Sequence, residues 1–220
     1  MSAGTITALV VQTHDHDRVN VFVDGEFALG VHVATLQREG LYKGKVLDEA
    51  GWQRLECAES DSKAWESALR LLETRPRSER EIRDRLRQKS YQPEQIEGVV
   101  IRLRDLGLID DQTFAKMWVD NRTANKPKGA QALRQELARK GVDRAIVDAT
   151  LATIPAADEA AQCAVVAREA LRRYADAPDR ATFQRRFGGF LQRRGYRFDT
   201  IKPILSQLWA EVQPGNDNDD

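Results

Sequence analysis

The sequence contains few cysteines: only Cys57 and Cys163 occur in 220 residues, and they form no Cys-x-x-Cys pair. This scarcity excludes a disulfide framework and a cysteine-based zinc site, and it predicts two reduced, partly buried thiols. Long apolar runs are missing as well. None approaches the roughly 18 residues that a membrane span needs, and no apolar signal-peptide core is present. We therefore expect a soluble, cytoplasmic protein that has no membrane partner.

Motifs for catalysis and nucleotide binding are also absent. Neither GxxxxGK[ST] nor GxSxG occurs, and GLYKGKV (40–46) has a Gly-Lys pair with the wrong glycine spacing for a phosphate loop. The two cysteines have no matching histidine context for a nucleophile. These absences predict a protein that is not an enzyme and that needs no cofactor.

Histidine is scarce, with three residues in the chain. His14 and His16 stand close together in THDHDRVN (13–20), and on a strand they would share a face, as two metal ligands could. A metal site would need at least one more ligand, and His32 is the only other histidine. The interpretation we favour is a polar loop between two strands, without a metal.

The chain carries no net charge, because 34 Lys and Arg residues balance 34 Asp and Glu residues. The two signs are unevenly placed: residues 1–60 and the final NDNDD are acidic, while arginines gather in the middle and near the end. Any attraction to a polyanion would therefore be local.

Residues 5–60 have the pattern of strands. TITALVVQ (5–12) is rich in β-branched residues, and RVNVFVDGEFALGV (18–31) alternates around Asp24-Gly25, a pair typical of a hairpin turn. Short helices are predicted over 33–40 and 48–57, around an extended piece at 42–47. The pattern predicts a small β-rich module over 1–60, whose sheet must pack against another element.

From Ser60 onward the apolar period changes from two to 3.6, which indicates helices. Pro76 ends the first helix, and Ser78 with Glu81 forms a capping box at the start of the next. Pro93 suits a first helical turn, and Gly107 suits a helix end. Short helices joined by tight turns are predicted from there to residue 209.

Three helical segments align with one another: 78–91, 131–142 and 186–196. The aligned columns are Ile82, Leu133, Phe187; Leu86, Leu137, Leu191; Lys89, Lys140, Arg194; Ser90, Gly141, Gly195; Tyr91, Val142, Tyr196; Ile96, Val147, Ile201; Val100, Leu151, Leu205; and Leu103, Ile154, Leu208. Each copy predicts a helix, a turn at the small residue and a second helix, and a further helix precedes each pair at 63–74, 111–123 and 157–175. Gly141 and Gly195 suit a left-handed helix end.

This repeat predicts a mainly α fold. Three tandem three-helix repeats, over 61–109, 110–155 and 156–211, would form an elongated, curved body behind the β-rich module, followed by a disordered acidic tail over 212–220. The competing interpretation is one irregular all-α domain whose thirds are similar by chance.

The helical region resembles the RecX family of recombination regulators. The most specific segments are RPRSEREIRDRL (75–86), LGLIDDQTFA (106–115) and LRQELARKGV (133–142), and the resemblance covers about residues 62–209. It implies three tandem three-helix repeats. It also implies binding to the groove of the RecA recombinase filament on single-stranded DNA, with modulation of strand exchange and ATPase activity during DNA repair and the SOS response. The shortest members lack a segment equivalent to 5–60.

Basic residues are the candidate contacts with DNA or with an acidic protein surface. They fall into three groups: Arg75, Arg77, Arg80, Arg83 and Arg87; Lys126 and Lys128; and Arg185, Arg186, Arg193, Arg194 and Arg197. In the first group some charge is offset by the i,i+4 pairs Glu79–Arg83 and Glu81–Arg85. The third group lies where six bases face a single acid between residues 182 and 202. The competing interpretation is an ordinary solvated face.

Two glycines interrupt the third aligned helix. Gly188 and Gly189 are predicted to lie on the exposed side of that helix, where each glycine costs roughly 1 kcal/mol relative to alanine. Either a partner approaches the backbone closely there, or the helix is kinked or broken. The first explanation makes this region, with Phe183, Tyr196 and Arg197, the leading candidate for contact with DNA or with an acidic protein surface.

Three functions remain open from the sequence. The first is a monomeric, non-enzymatic modulator, most simply an inhibitor, of the RecA filament. The second is a direct helix-turn-helix-like regulator that reads duplex DNA. Its candidate reading helices, 95–106, 143–153 and 199–210, carry few polar side chains that could read bases. The third is a helical scaffold for other proteins.

Overall fold

A four-stranded antiparallel sheet opens the chain, in the order β3-β2-β1-β4. The strands are β1 (Gly4–Val11), β2 (Arg18–Val23), β3 (Glu26–His32) and β4 (Val46–Leu47), and helix α1 (Val33–Arg38) follows β3. The computed structural model describes residues 4–212, so the tail predicted over 212–220 lies outside the described residues from 213 onward. The predicted hairpin is confirmed, because Asp24 and Gly25 both have positive φ, 51° and 88°. Residues 12–17 form the loop between β1 and β2, which confirms the polar loop around His14 and His16.

Nine further helices follow the sheet in the described part of the chain. They are α2 (Glu49–Thr74), α3 (Glu79–Gln88), α4 (Pro93–Asp105), α5 (Asp111–Asn125), α6 (Ala130–Arg139), α7 (Arg144–Ala152), α8 (Ala156–Ala170), α9 (Arg180–Arg193) and α10 (Phe198–Val212), with a 3₁₀ turn at Leu171–Arg173. The predicted fold class is confirmed: the chain is mainly α, with three successive groups of three helices behind a small β-rich module.

The Cα positions divide the chain into two units. The first contains the residues up to Pro76 together with Ile82–Leu108, and the second contains Arg77–Glu81 together with the residues from Ile109 onward. The finer division into five domains is not settled by this grouping and stays a prediction.

Helix α2 supports the sheet in the first unit. Trp52 and Leu55, exposed by 4% and 1%, pack with the buried face of β1 and β2. Glu59 is buried as well, and it accepts hydrogen bonds from Arg18 Nη2 (2.6 Å) and from the backbone N–H of His32 (2.9 Å). The sheet therefore packs against a helix, as so small a sheet requires.

The two helices predicted over 48–57 and 63–74 are a single element, so this part of the prediction is wrong. Helix α2 runs without interruption for 26 residues. Neither glycine nor proline occurs between Trp52 and Thr74, so nothing in the sequence ends the helix. It crosses the boundary that the sequence predicted between residues 60 and 61.

The repeat is confirmed in the backbone. Ser90, Gly141 and Gly195 all have positive φ, at 63°, 80° and 90°. The residue after each donates its N–H to the carbonyl five positions earlier: Tyr91 to Leu86 (3.3 Å), Val142 to Leu137 (3.1 Å) and Tyr196 to Leu191 (3.2 Å). This is the Schellman hydrogen bond of a left-handed helix end, and it occurs at the same column in all three copies.

The aligned apolar columns form the cores. Ile82, Leu133 and Phe187 are 0–2% exposed, and the next column is fully buried. Separate clusters around Leu137 and around Phe187 make the centres of the second and third helix groups.

Two predictions about small residues need correction. Gly188 is buried, not exposed, and a Cβ there would lie 3.5 Å from Leu205 Cδ1, so this glycine faces α10. Helix α9 is continuous through Gly188 and Gly189, which excludes a broken helix. The two cysteines differ as well: Cys57 is exposed, whereas Cys163 is fully buried.

Candidate partner-binding surfaces

The first basic group surrounds the start of α3. The predicted capping box is confirmed: Ser78 N–H donates to Glu81 Oε2 (3.4 Å), and Glu81 N–H donates to Ser78 Oγ (3.2 Å). Arg75 lies at the end of α2 and donates to the Pro76 carbonyl (2.9 Å), and Arg77 is half-buried in the following loop.

The arginines within α3 take part in several internal contacts. Arg83 donates through Nη2 to both carboxylate oxygens of Glu97, at 3.0 and 3.1 Å, and Arg87 donates to Asp84 (2.7 Å). The methylene groups of Arg80 pack against Gly141. Much of the charge of this group is therefore balanced within the protein, as the solvated-face interpretation expects.

The start of α3 also docks onto the end of α6, inside the second unit. Ser78 Oγ donates to the Lys140 carbonyl (2.5 Å), and Lys140 Nζ donates to Glu81 Oε1 (2.7 Å). The N–H of Glu79 donates to Asp111 Oδ1 (3.0 Å). The bonds to the Lys140 carbonyl and from the Glu79 N–H satisfy backbone groups that a helix end leaves without partners.

The start of α6 docks onto the end of α9 in the same way. Gly129 N–H donates to the Arg194 carbonyl (3.0 Å), and Gln131 N–H donates to the Gly195 carbonyl (3.2 Å). The N–H of Ala130 donates to Glu159 Oε1 (2.9 Å). A Cβ on Gly195 would collide with the backbone N of Ala132, so glycine is required there by close approach as well as by its φ.

The two lysines of the second basic group, Lys126 and Lys128, have different environments. Lys126 is exposed at the end of α5, whereas Lys128 forms an ion pair with Glu136. Glu136 is 12% exposed and also accepts hydrogen bonds from Arg122 Nε (2.8 Å) and Trp118 Nε1 (2.9 Å). Burial acts to raise the pKa of Glu136, but the hydrogen bonds from Lys128, Arg122 and Trp118 outweigh it and hold the pKa below its ordinary value. Lys128 therefore stabilises its own loop.

Replacing Glu136 with glutamine is expected to lower the free energy of unfolding by about 2–3 kcal/mol near neutral pH, because a buried charged acceptor with three donors is lost. A lowered folded-state pKa contributes stability that is fully present above the unfolded value of about 4.3 and is lost as the pH falls through the folded value. The difference in the free energy of unfolding between wild type and Glu136→Gln should thus shrink steadily below about pH 4, as measured by urea unfolding.

The matched control is Glu211→Gln, which removes an exposed pair with Arg168 (3.3 Å). Its expected effect is below about 1 kcal/mol. A difference between wild type and Glu136→Gln that stayed constant from neutral to acid pH would contradict the assignment.

The third basic group lies on α9 and the turn after it. Arg185, Arg186, Arg193 and Arg197 are exposed, and among residues 4–212 the last three form no ion pair. Arg186 and Arg193 are seven positions apart, so they share one face of α9. This is the largest group of predicted site residues that the structure leaves available to a partner.

The remaining charges near α9 are structural. Asp179 caps the helix, and hydrogen bonds from the Thr182 backbone and side chain lower its pKa, with a smaller effect from Arg185. Arg194 lies over the Phe190 ring at 5.1 Å, and its carbonyl receives the Gly129 N–H. Arg194 therefore differs from its neighbours, since it helps to dock α6.

Sequence reasoning missed two arginines in the second unit. Arg134 and Arg144 both pair with Asp148, at 3.0 and 3.5 Å, beside a notch at the α6–α7 turn. They belong to separate helices with no shared periodicity, so no one-dimensional pattern joins them.

The described residues offer little for covalent or metal chemistry. No group of three or more His, Cys, Asp and Glu side chains in residues 4–212 is placed to hold a metal ion. Burial, with a smaller effect from Glu159, raises the pKa of the Cys163 thiol to about 12, so this cysteine stays protonated and unreactive. Within the same residues no helix is long and apolar enough to cross a membrane.

Comparisons with known proteins match these elements. Residues 64–103 match the family model "RecX, first three-helix domain", and residues 110–151 match "RecX, second three-helix domain". The β-rich segment is matched as well: residues 4–48 fit "Regulatory protein RecX N-terminal domain".

Relatives cover nearly the whole chain. The chain is 29% identical to the regulatory protein RecX of Clostridium acetobutylicum over 96% of this chain and 99% of the relative. It is 30% identical to the RecX of Bacillus subtilis over 97% of this chain and 79% of the relative. A crystal structure of a regulatory protein RecX superposes with a TM-score of 0.77 at 26% identity, over 92% of this chain and 99% of that one.

A small sheet followed by successive three-helix domains is the architecture shared with these regulatory proteins. The chain belongs to the RecX family. Its relatives are named regulatory proteins, a description that does not indicate an enzyme.

Proposed function

We propose that this protein regulates the RecA recombinase by binding the RecA filament on single-stranded DNA. It lies in the groove of the filament, as a monomer in the cytoplasm, and it lowers ATP turnover and strand exchange. Family membership supports the regulatory role. The observation that carries the proposal is the third basic group, whose exposed arginines suit a groove lined by phosphates and acidic side chains.

The mechanism follows from several modest contacts. A protein that lies between successive filament subunits opposes the movements that accompany ATP hydrolysis and subunit exchange. Exposed charge pairs contribute little individually. Occupancy therefore depends on several arginines together, and no single substitution should abolish the effect.

The second helices do not favour the helix-turn-helix alternative. Helix α4 buries Ile96, Val99, Val100 and Leu103, and its exposed charges are mixed, with Glu94, Glu97 and Asp105 beside Arg102 and Arg104. Carboxylates repel the phosphates that flank a DNA groove. Footprinting of a specific duplex sequence by the purified protein would favour that alternative instead.

The test is a titration of the full-length protein into RecA filaments on single-stranded DNA. DNA-dependent ATPase activity should fall to a plateau while the protein co-sediments with the filament. The concentration for half inhibition should rise steeply with salt. Unchanged ATPase activity at saturating protein, without co-sedimentation, would reject the proposal.

A four-residue variant tests the basic surface itself. Changing Arg185, Arg186, Arg193 and Arg197 to alanine should raise the concentration for half inhibition by about 10–100-fold, because several charge contacts are lost at once. Far-UV circular dichroism should be unchanged, since these side chains are exposed.

The control removes the same charge from other surfaces. It changes four exposed bases: Lys43, Arg54, Arg70 and Lys116. The net charge falls by the same amount, but these bases lie outside the α9 surface, so inhibition should stay within about twofold of wild type. Equal losses from the two variants would show that net charge, not the α9 surface, sets the affinity.

A further inference from the structure

A notch opens between the end of α6 and the start of α7 in the second unit. Its lining residues are Arg80, Arg134, Ala138, Gly141, Val142, Asp143, Arg144 and Val147. Its volume of about 520 Å³ lies within the range of roughly 300–1,000 Å³ that small-ligand pockets occupy.

The floor of the notch is apolar and firmly held. Val142 and Val147, exposed by 5% and 1%, belong to the core of the second helix group. The methylene groups of Arg80 pack directly against the Gly141 backbone, where a Cβ would collide with them. The packed core holds these side chains in place, so the notch needs no side-chain movement before a ligand binds.

The rim of the notch is positively charged. Arg80, Arg134 and Arg144 line the notch together with one acid, Asp143, and Asp148 pairs with Arg134 and Arg144. Asp143 Oδ1 accepts the Ala145 N–H (2.7 Å), and Asp148 accepts from Arg134 Nε (3.0 Å) with Arg144 Nε at 3.5 Å. The Arg134 hydrogen bond is the main reason that the pKa of Asp148 is lowered, so this carboxylate stays charged.

Donors remain in excess on this rim. Each guanidinium has five N–H donors, and the single Asp148 carboxylate cannot accept all those of Arg134 and Arg144. The Arg144 side chain is 91% exposed, so it can reach a ligand without losing buried contacts.

We propose that the notch binds one nucleotide unit of a single-stranded nucleic acid. The base covers the apolar floor, and an adjacent phosphate receives charge-assisted hydrogen bonds from Arg134 and Arg144. An acidic peptide would also satisfy the arginines, so the experiments compare the nucleic acid with polyglutamate and with an abasic strand. This inference deepens the proposed function, since it adds a nucleic-acid contact apart from the α9 surface.

The test measures fluorescence anisotropy of a labelled oligo(dT) of about 20 nucleotides with the full-length protein and without recombinase. Arg134→Ala with Arg144→Ala should weaken binding about tenfold near 0.1 M salt. The salt dependence should also fall, by about 0.7 in log–log slope for each lost phosphate contact.

A second variant keeps both arginines. Ala138 is exposed on α6, and Ala138→Glu adds a carboxylate to the rim at a position that tolerates a longer side chain. Ala138→Glu should also weaken the binding of oligo(dT). The matched Ala161→Glu places the same charge on an exposed position of α8 and should leave the affinity unchanged.

The contribution of the base is tested with an abasic strand that has the same number of phosphates. It should bind wild type severalfold more weakly than oligo(dT), and Ala138→Glu should reduce that difference. Equal binding of the two strands would overturn the inference. So would equal competition by polyglutamate of the same charge, or an Arg134→Ala, Arg144→Ala variant with wild-type affinity and salt slope.

The experiments test nucleotide binding in the notch separately from the proposed regulation of RecA. If the wild-type protein did not inhibit the filament ATPase but bound oligo(dT) through Arg134 and Arg144, only the RecA proposal would be rejected. Intact inhibition with oligo(dT) binding that ignores both arginines would reject only the notch.

Discussion

Replacing Gly195 with alanine is expected to lower the free energy of unfolding by about 2–5 kcal/mol. Its φ of 90° is a left-handed conformation that costs an L-residue about 1–2 kcal/mol. The added Cβ would also collide with the backbone N of Ala132 at the start of α6, and forcing extra volume into a packed contact costs about 1–3 kcal/mol. Urea unfolding followed by far-UV circular dichroism measures the sum.

The control for Gly195→Ala is Gly107→Ala. Gly107 also has a positive φ, 65°, but a Cβ there would meet nothing within 4 Å. Only the conformational cost of about 1–2 kcal/mol applies. The difference between the two variants isolates the close approach of α6 to the end of α9, and equal costs would show that this contact adds nothing.

Replacing Phe187 with alanine is expected to cost about 3–5 kcal/mol of the free energy of unfolding. The side chain is fully buried at the centre of the third helix group. Its ring stacks on Tyr174 at 4.4 Å and meets the edge of Phe183 at 5.4 Å. Truncation removes both ring contacts and leaves a cavity that the surrounding helices fill only in part.

Phe198→Ala provides the comparison, because the same atoms are removed from a side chain that is 60% exposed. Its expected cost is below about 1 kcal/mol. Thermal unfolding should rank the variants in the same order as urea unfolding. A Phe187→Ala protein as stable as Phe198→Ala would show that the third group has no well-packed centre.

The parts of the fold that were predictable depend on neighbours in sequence. A helix end needs a residue that tolerates positive φ, and the core needs apolar side chains every three or four positions. Both requirements are visible in the sequence, for example at Gly141 and Leu137, so the repeat could be predicted from the sequence. The hairpin at Asp24-Gly25 was predictable for the same reason.

The parts that were not predictable depend on distant neighbours. The pair between Arg83 and Glu97 and the three donors around Glu136 join residues whose proximity only the packed helices create. The burial of Gly188 is similar, because a helical wheel places a glycine but does not show which helix lies against it. Candidate contacts chosen from charge alone therefore included Lys128, which pairs with Glu136, and did not include Arg134 and Arg144, which line the notch together.

Helix α2 has a further consequence for the first unit. The helix is continuous for 26 residues, with Trp52 packed under the sheet near its first turn and the first group of three helices at its other end. It therefore has no flexible joint at which the sheet and that group could move independently. The sheet and the residues at the far end of α2 are therefore expected to move together within the first unit.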